Sequence, residues 1–177
     1  LTTTFTRVGS SLSILGCIYI LVTRTAFPAF RTPANRLVSH LAVADILAHV
    51  GTLIARDAFI NHGPNSALCQ SQALTINWFF LVDAFLNASM ALGLLLIIVF
   101  RLPSDRVRGF DPYLKMASWG TPGVVSICYL VVGTEGRGKI YGDATLWCWI
   151  SDEYSYLRIA TYHGPIWVTI LFSFFVY

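Results

Sequence analysis

Apolar residues occupy this chain in five long runs, residues 5–27, 37–60, 69–100, 113–133 and 156–177, with short polar stretches between them. A hydrocarbon core of about 30 Å needs about 20 helical residues to cross it, and every run meets that length. Backbone polar groups must be satisfied internally in lipid, so the runs are predicted to be helices. The fold class expected is therefore all-α, a transmembrane helix bundle forming one domain over residues 1–177.

Composition agrees with that pattern. The chain is 55% hydrophobic and 12% charged, with a mean hydropathy of +0.64, where a soluble domain carries roughly 25% charged residues. The net charge of +3 comes from basic residues scattered singly, without the stripe that tracks a phosphate backbone, so no nucleic-acid polymer is expected as a partner. Their positions carry topology instead. Arg24, Arg31, Arg36, Arg101, Arg106, Arg108 and Lys115 are seven of the 12 Lys and Arg and share one side, which the positive-inside rule makes cytoplasmic. The N-terminus is then outside and the fifth helix ends inside. On the opposite side the 134–155 loop sets Glu135, Asp143, Asp152 and Glu153 against Arg137 and Lys139, with no basic excess. The chain begins at Leu1 and shows no signal peptide with a cleavage site, so a trimmed N-terminus is expected. No internal repeat of the kind found in many transporters is visible.

On this topology Cys69, at the outer end of the third helix, and Cys148, in the loop before the fifth, both face the oxidising side. They are the expected disulfide pair, the alternative being two unpaired thiols. A bridge closing so long a segment contributes roughly 2–4 kcal/mol on a loop-closure model. Cys17 and Cys128 lie within spans and read as small buried hydrophobes. Trp147 and Trp149 flank Cys148 as interfacial anchors or as packing over the bridge.

Here a resemblance becomes specific. Trp147-Cys148-Trp149-Ile150, followed by Tyr162-His163-Gly164-Pro165, resembles the signature before and within the fifth helix of the class E G protein-coupled receptors, the slime-mould cyclic AMP receptors and their fungal relatives. Ser13-Ile14-Leu15-Gly16-Cys17, Leu68-Cys69 and Ser118-Trp119-Gly120-Thr121-Pro122 agree in order. The resemblance implies a plasma-membrane receptor of seven helices that senses an extracellular small-molecule ligand and signals to a heterotrimeric G protein. Tyr177 then falls inside the fifth helix, so the chain is expected to be a fragment or a natural truncation. Cyclic AMP receptors suggest a phosphate-bearing ligand, fungal relatives a nutrient, and no basic cluster in the outer half chooses between them.

Ionisable groups at membrane depth are costly and point to function or to the bundle interior. Asp45, nine residues from Arg36, is roughly 14 Å along the helix at 1.5 Å per residue. It matches the acidic position that many G protein-coupled receptors carry in their second helix, where it joins an activation network; a structural Asp is the other reading. Asp83 and Asn87 are four apart and share a face. Asp83 is a candidate ligand contact, whereas Asn77 and Asn87 suit interhelical hydrogen bonding. Asn87 also belongs to the conformational-switch set with Asp45 and Pro165. His40 is placed at the cytoplasmic interface, and His49 either packs or shares a proton with Asp45. Arg56 could meet an anionic ligand or neutralise Asp57. Pro165 lacks an amide hydrogen and predicts a kink in the fifth helix, opening a cavity walled by Arg158, Tyr162 and His163 with the Cys148 loop as lid. Arg101, Arg106 and Arg108 mark the G-protein side, although membrane anchoring alone also explains them. The Asn87-Ala88-Ser89 sequon lies mid-span and is discarded.

No hydrolase, phosphate-loop or metal-ligand spacing is present in the sequence, so no enzyme, cofactor or metal is expected. The competing expectation is a subunit of a small-solute or proton-coupled transporter, with Asp45, Asp83 and His49 lining an ion path.

Overall fold

All five runs become helices in the computed structural model, which describes residues 2–134 and 138–177. Glu135 and Arg137 of the acidic loop lie outside the described residues. The helices are α1 (Thr2–Ala26), α2 (Pro33–Ile54), the short α3 (Asp57–His62), α4 (Ala67–Ile98) and α5 (Ser104–Val131). Two small antiparallel ribbons follow, β1 (Gly133–Thr134) with β2 (Gly138–Lys139), and β3 (Tyr141–Asp143) with β4 (Cys148–Ile150). The last helix is composite: a 3-10 turn over Asp152–Tyr154, α6 (Ser155–Leu157), a π-helical stretch over Arg158–His163, and α7 (Gly164–Val176).

Local chemistry sets several of these boundaries. The Thr32 side chain accepts a hydrogen bond from the Asn35 amide ahead of Pro33, pairing a capping hydroxyl with a first-turn proline. Ser66 caps α4 in the same way through the Cys69 amide, at 3.2 Å. The second run departs from the continuous helix expected over 37–60. It stops at Ile54, Ala55 takes a φ of 51°, and α3 starts afresh at Asp57. The fourth run also differs, because α5 begins at Ser104 rather than at 113 and carries Pro112 inside it.

Among the described residues, the helical segments Thr2–Ala26, Asn35–Ile54, Ala67–Ile98 and Asp152–Val176 are long and apolar enough to cross a bilayer. α5 has the length, at 28 residues, and is more polar. The distribution of side chains is that of a membrane bundle. Phe5, Leu12, Leu15 and Tyr19 on α1, and Val168, Leu171, Phe174 and Phe175 on α7, lie exposed, while Ser10, Thr52, Gln72, Asn77, Ser118 and Ser126 are buried. Lipid offers apolar surface no reason to hide, so small and polar residues take the helix interfaces.

α4 is the axis of the bundle, packed against α2, α5, α7 and β4. Its contact with α5 depends on a small residue: a Cβ on Gly123 would sit 2.7 Å from the Trp78 ring. Trp78 stacks on Phe79 and donates its indole hydrogen to the Trp119 carbonyl at 3.0 Å. Cys17 is buried as expected, whereas Cys128 is exposed on the outside of α5, correcting the expectation that both were buried.

Candidate functional site

The site is built at the disulfide end of the bundle, from α4 upward. Cys69 and Cys148 are bonded, with Cα atoms 5.3 Å apart across 79 residues of sequence, and both are fully buried. Beyond the covalent link, β4 is seated by two polar side chains of α4. Gln72 accepts from the Cys148 amide at 3.1 Å while its Nε2 donates to the Gly51 and Ala55 carbonyls at the end of α2. Asn77, with no exposed surface, accepts from the Trp149 indole Nε1 at 3.0 Å and donates to the Ser126 hydroxyl of α5 at 2.9 Å. Two turns before Asn77, Gln70 donates to the Tyr141 carbonyl on β3 at 2.8 Å. The Cys148 amide and the Trp149 indole, two donors that burial would otherwise strand, thus find acceptors on α4.

Tyr141 completes the seat. Its hydroxyl donates to the Ser126 carbonyl at 3.0 Å, and burial pushes its ionisation well above the usual tyrosine range. Ala58, Cys69, Ala73, Ile140, Tyr141, Cys148, Ile150 and Tyr154 form the apolar cluster beneath the loop.

Trp149 then meets the last helix edge to face. Its ring lies 4.7 Å from that of Tyr162 and 5.8 Å from His163, with Arg158 stacked 5.4 Å above it. Arg158 also donates to the Ile150 carbonyl and pairs with Asp152 at 2.8 Å. Below this aromatic cluster, a cavity of about 400 Å³ separates α4 from α7, and Asp83, Asn87, Tyr162, Thr169, Ser173 and Tyr177 supply its polar lining. Among the described residues, no cationic side chain lines it.

Pro165 does its work by a different route from the simple kink expected. The turns ahead of it widen to π-helical geometry, and the Gly164 amide reaches the Ile159 carbonyl, five residues back. A π turn absorbs the interruption of the regular ladder that a proline imposes. Gly164 is required there, because a Cβ would stand 2.8 Å from the Ile159 oxygen.

The structure thus brings Asp83, Asn87 and Tyr162 to one cavity and sets Trp149 and His163 over its rim. Arg158 is turned up into the loop and does not line the cavity. Arg56 lies apart, at the start of α3, with its Nε buried and without a hydrogen-bond partner, and Asp57 pairs with Arg7 at 2.5 Å instead of with Arg56. His49 packs edge to face on Phe80 and approaches Thr52, with no hydrogen bond to Asp45. Asp45 takes a weak hydrogen bond from the Cys17 thiol at 3.7 Å. Asn87 donates to the Asp83 carbonyl of its own helix rather than across the bundle. At the opposite, basic end Arg101 and Arg106 are exposed, and Arg108 is within 3.7 Å of Asp105.

Sequence reasoning passed over Gln70 and Gln72. Their signal was available: two amides next to Cys69 inside an apolar run, where a polar side chain needs a partner. It also missed the ion pair between Arg36 and Asp111, 2.7 Å apart and 75 residues distant in sequence, for which no local pattern exists.

Residues 3–176 match the family model described as slime mold cyclic AMP receptor. The chain is 27% identical over 170 residues to "Cyclic AMP receptor-like protein A" of Dictyostelium discoideum, covering 96% of this chain and 42% of that protein. It is 25% identical over 171 residues to "G-protein coupled receptor 1" of Arabidopsis thaliana, covering 96% of this chain and 48% of that protein. With "Latrophilin receptor-like protein A" of Dictyostelium discoideum it shares 25% identity over 145 residues, 82% of this chain and 43% of the relative. The chain therefore spans less than half the length of each of these relatives. With the apolar-surfaced helix bundle, the Cys69–Cys148 bridge and a family match over almost its full length, the chain is a membrane protein of the slime mold cyclic AMP receptor family.

Proposed function

We propose that this chain is part of a plasma-membrane G protein-coupled receptor that binds an extracellular small molecule in the cavity between α4 and α7. The observation that supports the reading is the contact of Trp149, on the disulfide-held ribbon, with Tyr162, which lines that cavity. A pocket of mixed apolar walls and a few convergent polar groups is the usual form of a small-molecule site. Among the described residues the lining has one carboxylate, one amide and several hydroxyls, and no cation. The Asp83 carboxylate favours a neutral hydrogen-bonding molecule or an amine as the ligand.

Signal transmission follows from differential affinity for two packings of the bundle. The ligand bridges Asp83 on α4 and Tyr162 on the last helix, and the π-helical stretch ahead of Pro165 is the element that changes register. Asn87 lines the same cavity, Asp45 belongs to the switch through its contact with Cys17 on α1, and Arg101, Arg106 and Arg108 present the basic end to a heterotrimeric G protein.

The test is G-protein activation by the complete receptor in intact cells, against extracellular amines, sugars, amino acids and nucleotides. Wild type is compared with Cys148→Ser at matched surface level. A response to one compound, lost in the variant, supports the lidded receptor. Silence accompanied by solute-dependent currents or uptake replaces it with the transporter reading.

A further inference from the structure

Arg24 is the unexplained cation at the basic end of the bundle. Its Nε is buried without a hydrogen-bond partner, and it makes no ion pair among the described residues. The carboxylates Asp111 and Asp105 are engaged by Arg36 and Arg108. Arg24 borders two adjoining cavities. One, of about 230 Å³, is walled by Arg24, Thr25 and Arg31. The other, of about 260 Å³, runs along Tyr19, Ile20, Thr23, Phe30, Asn35 and Val38.

The two cavities differ in chemistry. The first holds two guanidinium groups, and the Arg31 Nη2 is oriented by donating to the Thr25 carbonyl at 2.7 Å. The second is largely apolar and open to the bundle exterior, with Tyr19 72% and Phe30 49% exposed. The 3-10 turn Pro28–Phe30 sits between them, held by the Asn35 side-chain amide donating to the Phe30 carbonyl at 2.9 Å. A cationic head beside an apolar trough at a membrane boundary matches one class of molecule. Guanidinium pairs hold phosphate by parallel charge-assisted hydrogen bonds, and basic pockets at the ends of membrane helices hold anionic headgroups.

We propose that Arg24 and Arg31 bind the phosphate of an anionic phospholipid, whose acyl chain lies along Tyr19, Ile20 and Phe30 between α1 and α2. The site is independent of the cavity between α4 and α7 and of the identity of any agonist.

The complete receptor in phosphatidylcholine nanodiscs is titrated with a fluorescent short-chain phosphatidylinositol 4-phosphate. Parallel titrations use inositol 1,4-bisphosphate and a short-chain phosphatidylcholine. Each basic residue near an anionic headgroup contributes about 1 kcal/mol, so Arg24→Gln with Arg31→Gln weakens binding by about thirtyfold. Arg31→Gln alone, at an exposed turn where folding is not at stake, weakens it about fivefold. The control pair Arg101→Gln with Arg106→Gln removes the same charge from the same end and leaves affinity within twofold. The inositol bisphosphate binds more weakly than the lipid. Equal losses in the control pair, tightness equal for the headgroup alone, or no preference over phosphatidylcholine would each overturn the proposal.

Discussion

Asn77 joins three elements with one side chain, and the strength of that junction can be measured. It takes a hydrogen bond from Trp149 on β4 and gives one to Ser126 on α5, all within the bundle. Hydrogen bonds between membrane helices average about 0.6 kcal/mol and reach about 1.7. Asn77→Ala should therefore destabilise the complete receptor by roughly 1–3 kcal/mol. The sharper quantity is the coupling between Asn77→Ala and Trp149→Phe. Phenylalanine keeps an aromatic ring against Tyr162 and Arg158 but removes the indole donor, and losses of ring contact cancel in the cycle. The coupling should be about 0.6–1.7 kcal/mol, read from reversible unfolding in mixed micelles. Trp167→Phe serves as control, since Trp167 lies exposed on α7 and should add to Asn77→Ala within about 0.5 kcal/mol. A coupling to Trp149 no larger than that of the control would refute the claim that Asn77 fastens the loop to the helix core.

Two further outcomes follow from local geometry. Gly164→Ala places a Cβ against the Ile159 carbonyl, so it should cost about 1–3 kcal/mol by overpacking. Gly16→Ala, with open space around it, should be neutral or gain up to about 1 kcal/mol from helix propensity; equal effects in the same unfolding assay would deny the π turn its role. Tyr141 gives a pH dependence: its ionisation is raised in the folded state, so its contribution is complete below the unfolded tyrosine value of about 10 and is lost as pH climbs above it. Unfolding followed between pH 8 and 11.5 should show wild type losing stability more steeply than Tyr141→Phe above about pH 10, and parallel curves would count against the buried phenol.

The helices and the bridge were legible because they follow from one-dimensional rules. Run length fixed the five helices, and the placement of Cys69 and Cys148 at one end of the spans fixed their pairing. The break at Ala55 was not legible. An alanine at positive φ has no sequence signature, and its cause is three-dimensional, since the buried Ala55 carbonyl is taken by Gln72 of α4. The early start of α5 was hidden for a related reason. Residues 104–112 are polar and contain Pro112, yet Asp111 is buried against Arg36, a partner from another helix.

The candidate site was read in part. Asp83 and Tyr162 were singled out for their depth and position, and they share a cavity. Arg158 was expected on the same wall, and its side chain is instead drawn into the loop by the Ile150 carbonyl, Asp152 and the face of Trp149. An arginine at a helix start has several partners within reach, and only the folded loop selects among them. Likewise Pro165 announced an interruption, but whether a helix kinks or widens depends on what stands five residues earlier and on a glycine that lets the carbonyl approach.

The measurement that bears most directly on the central claim is the concentration dependence of G-protein activation by the complete receptor, wild type beside Asp83→Asn and Tyr162→Phe at equal surface levels. The agonist is the compound from the amine, sugar and amino-acid panel that activates wild type. A ligand held between α4 and the last helix should require at least tenfold more agonist in Asp83→Asn, about 1.4 kcal/mol of lost contact, with a smaller shift in Tyr162→Phe. Unchanged dose-response curves in both variants, or activation by a cyclic nucleotide that Asp83→Asn leaves unaltered, would contradict it.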